Sequence, residues 1–273
     1  MRCDGRSALD LRHLVVQSGV VDFCNGSALL ERVGTGAAVV AGVKLETVEL
    51  GAASGARGGT LLYDVSVDVS TLEARDEDAS QRRLRDLQKQ LADQTEAQLA
   101  QMVGGARARL LDVVPGKVAW CVCVDLVVLG SDGNLEDLCS LAVYAALADA
   151  RLPKTSLVEA EGGADFAVEP EMSSAVPLAA ELLLALPLRV TLFQVGALMV
   201  ADASEQEEHV AACALSVLVN RRGQLCSTHI DKAGRLPLTA LAGHLGHASQ
   251  IARELFKLLD ISSKQQQQQQ QHN

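Results

Sequence analysis

The stretch Lys117–Asp149, KVAWCVCVDLVVLGSDGNLEDLCSLAVYAALAD, decides how the rest of the chain is read. Its first part, Val118 to Leu129, is apolar and rich in β-branched residues, with one acid, Asp125. Such a run predicts a strand buried on both faces. Gly130-Ser131-Asp132-Gly133 supplies a turn. Beyond it, Leu135, Leu138, Leu141, Ala142, Ala145 and Ala146 recur at three- and four-residue spacing, which predicts a helix. Strand, turn and helix in this order leave free backbone N–H groups and the positive end of the helix dipole where an anion can sit. Yet the first turn of this helix carries Glu136 and Asp137. Carboxylates there suit the dipole but repel a phosphate. The stretch has the architecture of a phosphate site with its charge reversed.

The chain around it is large enough for a sizeable core: 273 residues, 48% hydrophobic, in one large domain or two small ones. A net charge of −10 excludes a broad basic face, so any contact with nucleic acid is local. Aromatic residues are only 3%, too few for a platform that stacks bases. The seven cysteines (3, 24, 121, 123, 139, 213 and 226) form no CxxC pair and are odd in number. They read as free, mostly buried thiols of a reducing compartment, not as a disulfide framework. The opening MRCDGRSALD lacks the apolar core of a signal peptide. The longest greasy run, Val176 to Phe193, is broken by Glu181, Pro187 and Arg189, which excludes a membrane span.

Upstream, Leu14 to Val21 and Gly26 to Leu30 read as paired strands joined by a Cys-Asn-Gly turn, and Ala37 to Leu50 as a third. Gly51 to Gly59 (GAASGARGG) is a loop. It lacks the Lys-Ser/Thr of a P-loop and opens no helix, so a nucleotide-binding reading fails. Thr60 to Ser70 alternates with period two: Leu61, Tyr63, Val65, Val67 and Val69 face the core, and Asp64 and Asp68 lie on the polar side. A solvated face accounts for those two acids. A helix follows, with Ser80 as its expected N-cap and Leu84, Leu87, Leu91, Thr95, Leu99 and Met102 along one side. Arg82, Arg83 and Arg85 cluster at its start, against the dipole. Two readings stand side by side: contact with a polyanion, or a solvated face with an Arg82–Asp86 pair.

Downstream, residues 151–187 read as an acidic surface loop with a short strand, carrying Glu159, Glu161, Asp165, Glu169 and Glu171. Leu188–Val195 and Leu198–Val200 form a hairpin across Gly196-Ala197. Ser204-Glu-Gln-Glu207 fits a capping box. A second hairpin turns at Arg221-Arg222-Gly223. The last helix begins near Pro237 and buries Leu241, Leu245, Ala248, Ala252, Leu255 and Leu259. His244 and His247 have the spacing of a metal pair, but no acid or cysteine neighbours them in sequence, so a helix-surface pair is the reading and no metal or cofactor is expected. Residues 262–273 (SSKQQQQQQQHN) read as a disordered polar tail. The element order describes an α+β fold built by duplicating a strand–helix unit. Residues 1–261 form the domain, with a first half of about 1–112 and a second of about 117–261.

Several short pieces, in order and spacing over nearly the whole chain, resemble the RNase PH family. They are Asp4-Gly5-Arg6 with Arg12, Gly26-Ser27-Ala28, Gly34-Thr35, Gly42-Val43-Lys44, Val124-Asp125-Leu126 with Asp132-Gly133, and Ala201-Asp202 followed by Glu207-Glu208. Longer runs, GSALLERVGTG, DGNLEDLCSLAVYAAL and VADASEQEE, resemble the ring subunits of the exosome core within that family. The resemblance implies a fold of duplicated strand–helix units and, in active members, removal of nucleotides from RNA 3′ ends with inorganic phosphate as nucleophile. Those members hold phosphate with an arginine four residues after the acid of the strand-end turn. Here that acid matches Asp132 and the arginine position is Glu136. A guanidinium forks onto phosphate; a carboxylate repels it. The resemblance also implies a catalytic acid twelve residues beyond Asp202, where this chain has Ala214, which can neither move a proton nor bind a metal.

The expectation is a non-catalytic subunit that pairs with other RNase PH-like subunits in a six-membered ring under cap subunits. Single-stranded RNA would thread the pore past Arg82, Arg83 and Arg85. The resemblance places such a subunit in nucleus, nucleolus and cytoplasm. The rival expectation is a phosphate-dependent 3′ exonuclease, active alone or through a site shared with its partner. Relatives carry a helix before the Asp-Gly-Arg match, so residues are expected to be missing ahead of Met1.

Overall fold

A computed structural model describes residues 2–50, 62–72, 77–159, 166–232 and 234–270. The Gly51–Gly59 loop, Glu161, Asp165 and the last three residues lie outside them. Strands β1 (Leu14–Ser18), β2 (Gly26–Arg32), β3 (Ala38–Glu49), β4 (Tyr63–Asp68), β5 (Asp112–Val114) and β6 (Val118–Gly130) make one sheet. Its order is β1-β2-β3-β6-β4, with β5 also on β6. The pairing is antiparallel except between β4 and β6, which run parallel. A parallel pair needs a crossover, and helix α1 (Glu77–Val103) provides it. Sheet membership therefore places β6, the first strand of the expected second half, in the first sheet.

The second sheet is β10-β9-β11-β12, all antiparallel, from β9 (Pro187–Val195), β10 (Leu198–Ala201), β11 (Cys213–Asn220) and β12 (Leu225–Asp231). Between the sheets lies α2 (Leu135–Asp149), buried from Leu135 to Leu147 apart from Glu136. Its small and branched residues let it press on β2 and β3 on one side and β9 on the other. Gly26 is one reason it fits, because a side chain there would meet Ala150 Cα at 2.4 Å. Helix α5 (Leu238–Gln270) covers β9 and β11 with Ala248, Ile251, Ala252, Leu255 and Leu259 in one core continuous with both sheets. Burying each large aliphatic side chain contributes about 2 kcal/mol.

Several expectations need correction. β6 is not covered on both faces: Val122, Val124, Leu126 and Val128 are core, but Leu129 is 46% exposed and Asp125 pairs with Lys44 at 2.9 Å. Antiparallel neighbours leave one face open to water, unlike a fully parallel sheet. Helix α1 starts at Glu77, a residue type favoured in a first turn, so Ser80 is inside the helix and no N-cap. Residues 151–187 are not mainly loop. They form a hairpin of β7 (Arg151–Glu159) and β8 (Phe166–Pro177), then a short helix, α3 (Ala180–Ala185). Pro153 and Pro170 disguise the strands; the ladder shifts register between Leu152 and Lys154, where an isolated two-stranded sheet tolerates proline. Helix α5 runs on through the glutamine run to Gln270 instead of giving way at Ser262, since glutamine propagates a helix already nucleated.

Candidate functional site

The site lies where the turn after β6 meets the segment after β10. Gly133 shapes the turn. Its φ is +75°, and a Cβ there would sit 2.4 Å from Glu205 N, at the start of α4 (Glu205–Val210). The Ser204 capping box is present in full, with Ser204 N–H donating to Glu207 Oε2 at 3.0 Å. Asp202 precedes it in the left-handed region, with φ +46°, a conformation that aspartate tolerates better than most residues.

Asp202 is 6% exposed and ringed by guanidinium groups. The backbone N–H and Nε of Arg12 donate to its Oδ2 at 2.7 and 3.0 Å, and Nη2 donates to Oδ1 at 2.7 Å. Arg32 Nη2 lies 3.1 Å from Oδ1, and Arg6 Nη1 lies 3.3 Å from Oδ2. Arg12 also reaches Asp132, donating through Nη1 to its carbonyl at 2.7 Å and its carboxylate at 3.0 Å. Arg32 donates to the carbonyls of Gly133 and Asn134 at 2.6 and 2.8 Å. Arg2 forks onto Glu207 at 2.8 and 2.5 Å. Glu208 Oε2 accepts from Asn134 N–H at 2.7 Å. Burial pushes the Asp202 carboxyl up, but the Arg12 hydrogen bonds and the Arg32 and Arg12 charges outweigh it and hold it at about 2. Both oxygens are taken by donors. Such a carboxylate neither accepts a proton near neutral pH nor offers a free lone pair to a metal.

At the start of α2 the two acids face different ways. Glu136 accepts from Arg189 Nη1 at 3.4 Å and from the amide of Gln90. Asp137 turns inward. It accepts from Thr191 N–H and Oγ1 at 2.8 and 2.7 Å and from Asn134 Nδ2 at 2.9 Å. Burial pushes its carboxyl up to about 6, against those hydrogen bonds. Thr191 Oγ1 in turn lies 3.1 Å from Ser216 Oγ. The carboxylate of Asp137 thus ties the start of α2 to β9.

Of the expected residues, Asp132 and Asp202 come together through Arg12. Glu136 stands at the mouth of the helix but pairs with Arg189 instead. Ala214 lies in a small apolar cluster with Phe193, Val200, Ala203 and Ala211, next to Asp202 through Ala203 and across from Asp231 in the β11–β12 register. Arg82, Arg83 and Arg85 are exposed on α1 but sit beyond its first turn, since the helix begins at Glu77. His244 and His247 have ring centroids 6.4 Å apart on α5. Among the described residues, no group of three or more His, Cys, Asp or Glu is arranged to hold a metal ion. None of the seven cysteines is in a disulfide, and three of them, Cys121, Cys139 and Cys213, are buried, fewer than the mostly buried set expected. The sequence reading missed Arg2, Arg32 and Arg189 as site residues; two arginines inside apolar strands were the available signal.

The fold agrees with comparisons to known proteins. Residues 10–153 match the model of the 3′ exoribonuclease family, domain 1. The chain is 29% identical over 263 residues to the exosome complex component Rrp42 of Sulfurisphaera tokodaii, covering 95% of this chain and 88% of that protein. With Rrp42 of Pyrococcus abyssi the identity is 27% over 266 residues, covering 94% and 88%. An archaeal exosome core structure superposes with a TM-score of 0.67 at 22% identity, covering 95% of this chain and 91% of that one. An Archaeoglobus fulgidus exosome with RNA bound to the active site gives 0.65 at 22%, covering 94% and 91%. With more than half its length matched by the family model, the chain belongs to the RNase PH-type 3′ exoribonuclease family.

Proposed function

We propose that this chain is a ring subunit of an exosome core that carries no phosphorolytic site of its own and serves as a wall of the RNA conduit. One observation carries the reading. Asp202 is held by Arg12, Arg6 and Arg32, and the position where family members hold phosphate with an arginine is Glu136, itself paired with Arg189. An anion entering there meets a carboxylate, and Asp202 is held too tightly to move a proton. The resemblance of the chain to Rrp42 subunits over nearly its whole length supports the ring role. The net charge of −10 suits neighbours with basic faces. The ring holds RNase PH-like partners in heterodimers under cap subunits, with single-stranded RNA passing the exposed Arg82, Arg83 and Arg85. The setting is nuclear, nucleolar and cytoplasmic.

The test is direct. Incubate the chain, and its heterodimer with a co-expressed ring partner, with RNA and inorganic phosphate. The expected outcome is that the isolated chain releases no nucleoside diphosphate, and that any release by the heterodimer persists in the Asp202→Ala variant. Release that Asp202→Ala abolishes in a heterodimer that stays folded and assembled would establish the rival exonuclease reading. Expressed alone, the chain self-associates, and the partner rescues it as a heterodimer. An isolated chain that stays monomeric at high concentration contradicts the ring role.

A further inference from the structure

The open face of the first sheet carries a pair of thiols. Val122, Val124 and Leu126 of β6 turn to the core, so the alternate residues Cys121, Cys123 and Asp125 share the other face. Cys121 and Cys123 are neighbours there, and a hydrogen bond links their side chains. The register fixes what flanks them. Glu46 of β3 lies opposite Cys121, and Lys44 lies opposite Cys123. From the other side, Asp64 of β4 lies opposite Cys123. Cys121 is 7% exposed, whereas Cys123 is half-buried and keeps the pair within reach of solvent.

Two adjacent sulfurs can do few things. Residues two apart in a strand lie about 6.7 Å apart with parallel Cα–Cβ bonds. That is the far limit for a disulfide, whose Cβ atoms approach to about 3.8 Å, so joining the pair would bend the strand. Burial raises both thiols, Cys123 to about 12, and the Glu46 and Asp64 charges push the same way. They keep their protons near neutral pH and are poor nucleophiles. A thiophilic metal ion meets a different balance, because it takes both sulfurs at once and releases their protons as it binds. The number of ligands then selects the ion. Among the described residues, no third His, Cys, Asp or Glu is arranged to complete a cage. Zinc, which structural sites hold with four ligands, is poorly served. Copper(I), soft and content with two thiolates, is well served.

We propose that Cys121 and Cys123 form a two-sulfur site for a soft monovalent metal ion, copper(I). Both S–H bonds break, two S–Cu bonds form, and two protons leave to solvent. No oxidation state changes. The product carries one negative charge between its sulfurs and the metal, and Lys44, opposite Cys123, stands beside it as the nearest cation in the register. Lys44 is itself tied to Asp125 at 2.9 Å, which keeps it on this face.

Titration of copper(I) against a chromophoric chelator, under anaerobic conditions, tests this on the full chain with its ring partner. The comparison is with Cys123→Ala, which trims a half-buried side chain outside the core and therefore folds. The wild type should hold one copper(I) at least about a hundredfold more tightly than the variant, since loss of even an outer partner of a metal ligand costs about 10–100-fold. Its affinity should rise with pH, because protons leave on binding. X-ray absorption should count two sulfur neighbours at the metal. Copper(I) held equally by wild type and Cys123→Ala, or by neither, overturns the proposal. A third sulfur or a nitrogen at the ion overturns it as well, as does zinc held as tightly as copper(I) or an affinity that ignores pH.

Discussion

Removing Arg12 should be among the most damaging single changes in this protein. Its guanidinium and backbone make three hydrogen bonds to Asp202 and its side chain two more to Asp132. The acid end of the pH profile measures what the clasp is worth. Asp202 is lowered from the usual 3.8 to about 2, and one pKa unit is 1.36 kcal/mol, so the shift stands for about 2 kcal/mol at neutral pH. Because the folded value is depressed, that stability is present above pH 4 and disappears as pH falls through 2. Arg12→Ala removes the fork and leaves a buried carboxylate with Arg32 and Arg6 alone. Breaking one side of a buried pair costs about 3–5 kcal/mol. Urea unfolding at low protein concentration, at pH 7 and again near pH 3, reads both numbers. The variant should lose at least about 3 kcal/mol at pH 7, and the gap between the two pH values should shrink. A loss under about 1 kcal/mol, or an undiminished gap, would show that the clasp does not hold Asp202 as described.

Other outcomes follow from the same geometry. Asp137 titrates near 6 in the folded chain, above its ordinary 3.8. Its burial therefore favours folding at acid pH, and that contribution, roughly 3 kcal/mol, is lost as pH rises through 6. Asp137→Asn should flatten the stability profile between pH 4 and 7; an unaltered slope in the variant would assign the titration elsewhere. Gly133→Ala meets both a positive φ and backbone at 2.4 Å, so thermal unfolding should report a loss of about 3 kcal/mol or more. Replacing Arg82, Arg83 and Arg85 together by Glu should leave unfolding within about 0.5 kcal/mol. The same change should weaken RNA cross-linking to this subunit in the assembled ring, and intact cross-linking would remove these residues from the RNA path.

Much of the fold was legible because its signals are local. The β6–turn–α2 unit, the two hairpins of the second sheet, the Ser204 capping box and the α5 stripe all follow from spacing within one element. Where sequence spacing carried conflicting signals, the reading slipped. Pro153 and Pro170 hid β7 and β8, Ser80 mimicked a cap inside α1, and the polar glutamine tract read as disorder although the predicted helix before it runs on through it. The site was half visible. Glu136 stood out as a wrong charge in a familiar frame. The arginine clasp did not, since Arg2 meets Glu207 across 205 positions and Arg12 meets Asp202 across 190. No periodicity relates such residues; only the closed fold brings them together. The same holds for Asp137, whose partners Thr191 and Ser216 come from two strands of another sheet.

That long reach has a consequence for how the molecule is made. On the ribosome, Arg2, Arg6, Arg12 and Arg32 emerge near the beginning and Asp202 and Glu207 long afterwards. Until then Arg6 has Asp4 at 2.6 Å, but Arg12 and Arg32 lack the carboxylate of Asp202. The first sheet can assemble, yet its opening strap stays loose. Closure of this clasp thus waits for the segment that carries Asp202 and Glu207 to be synthesised.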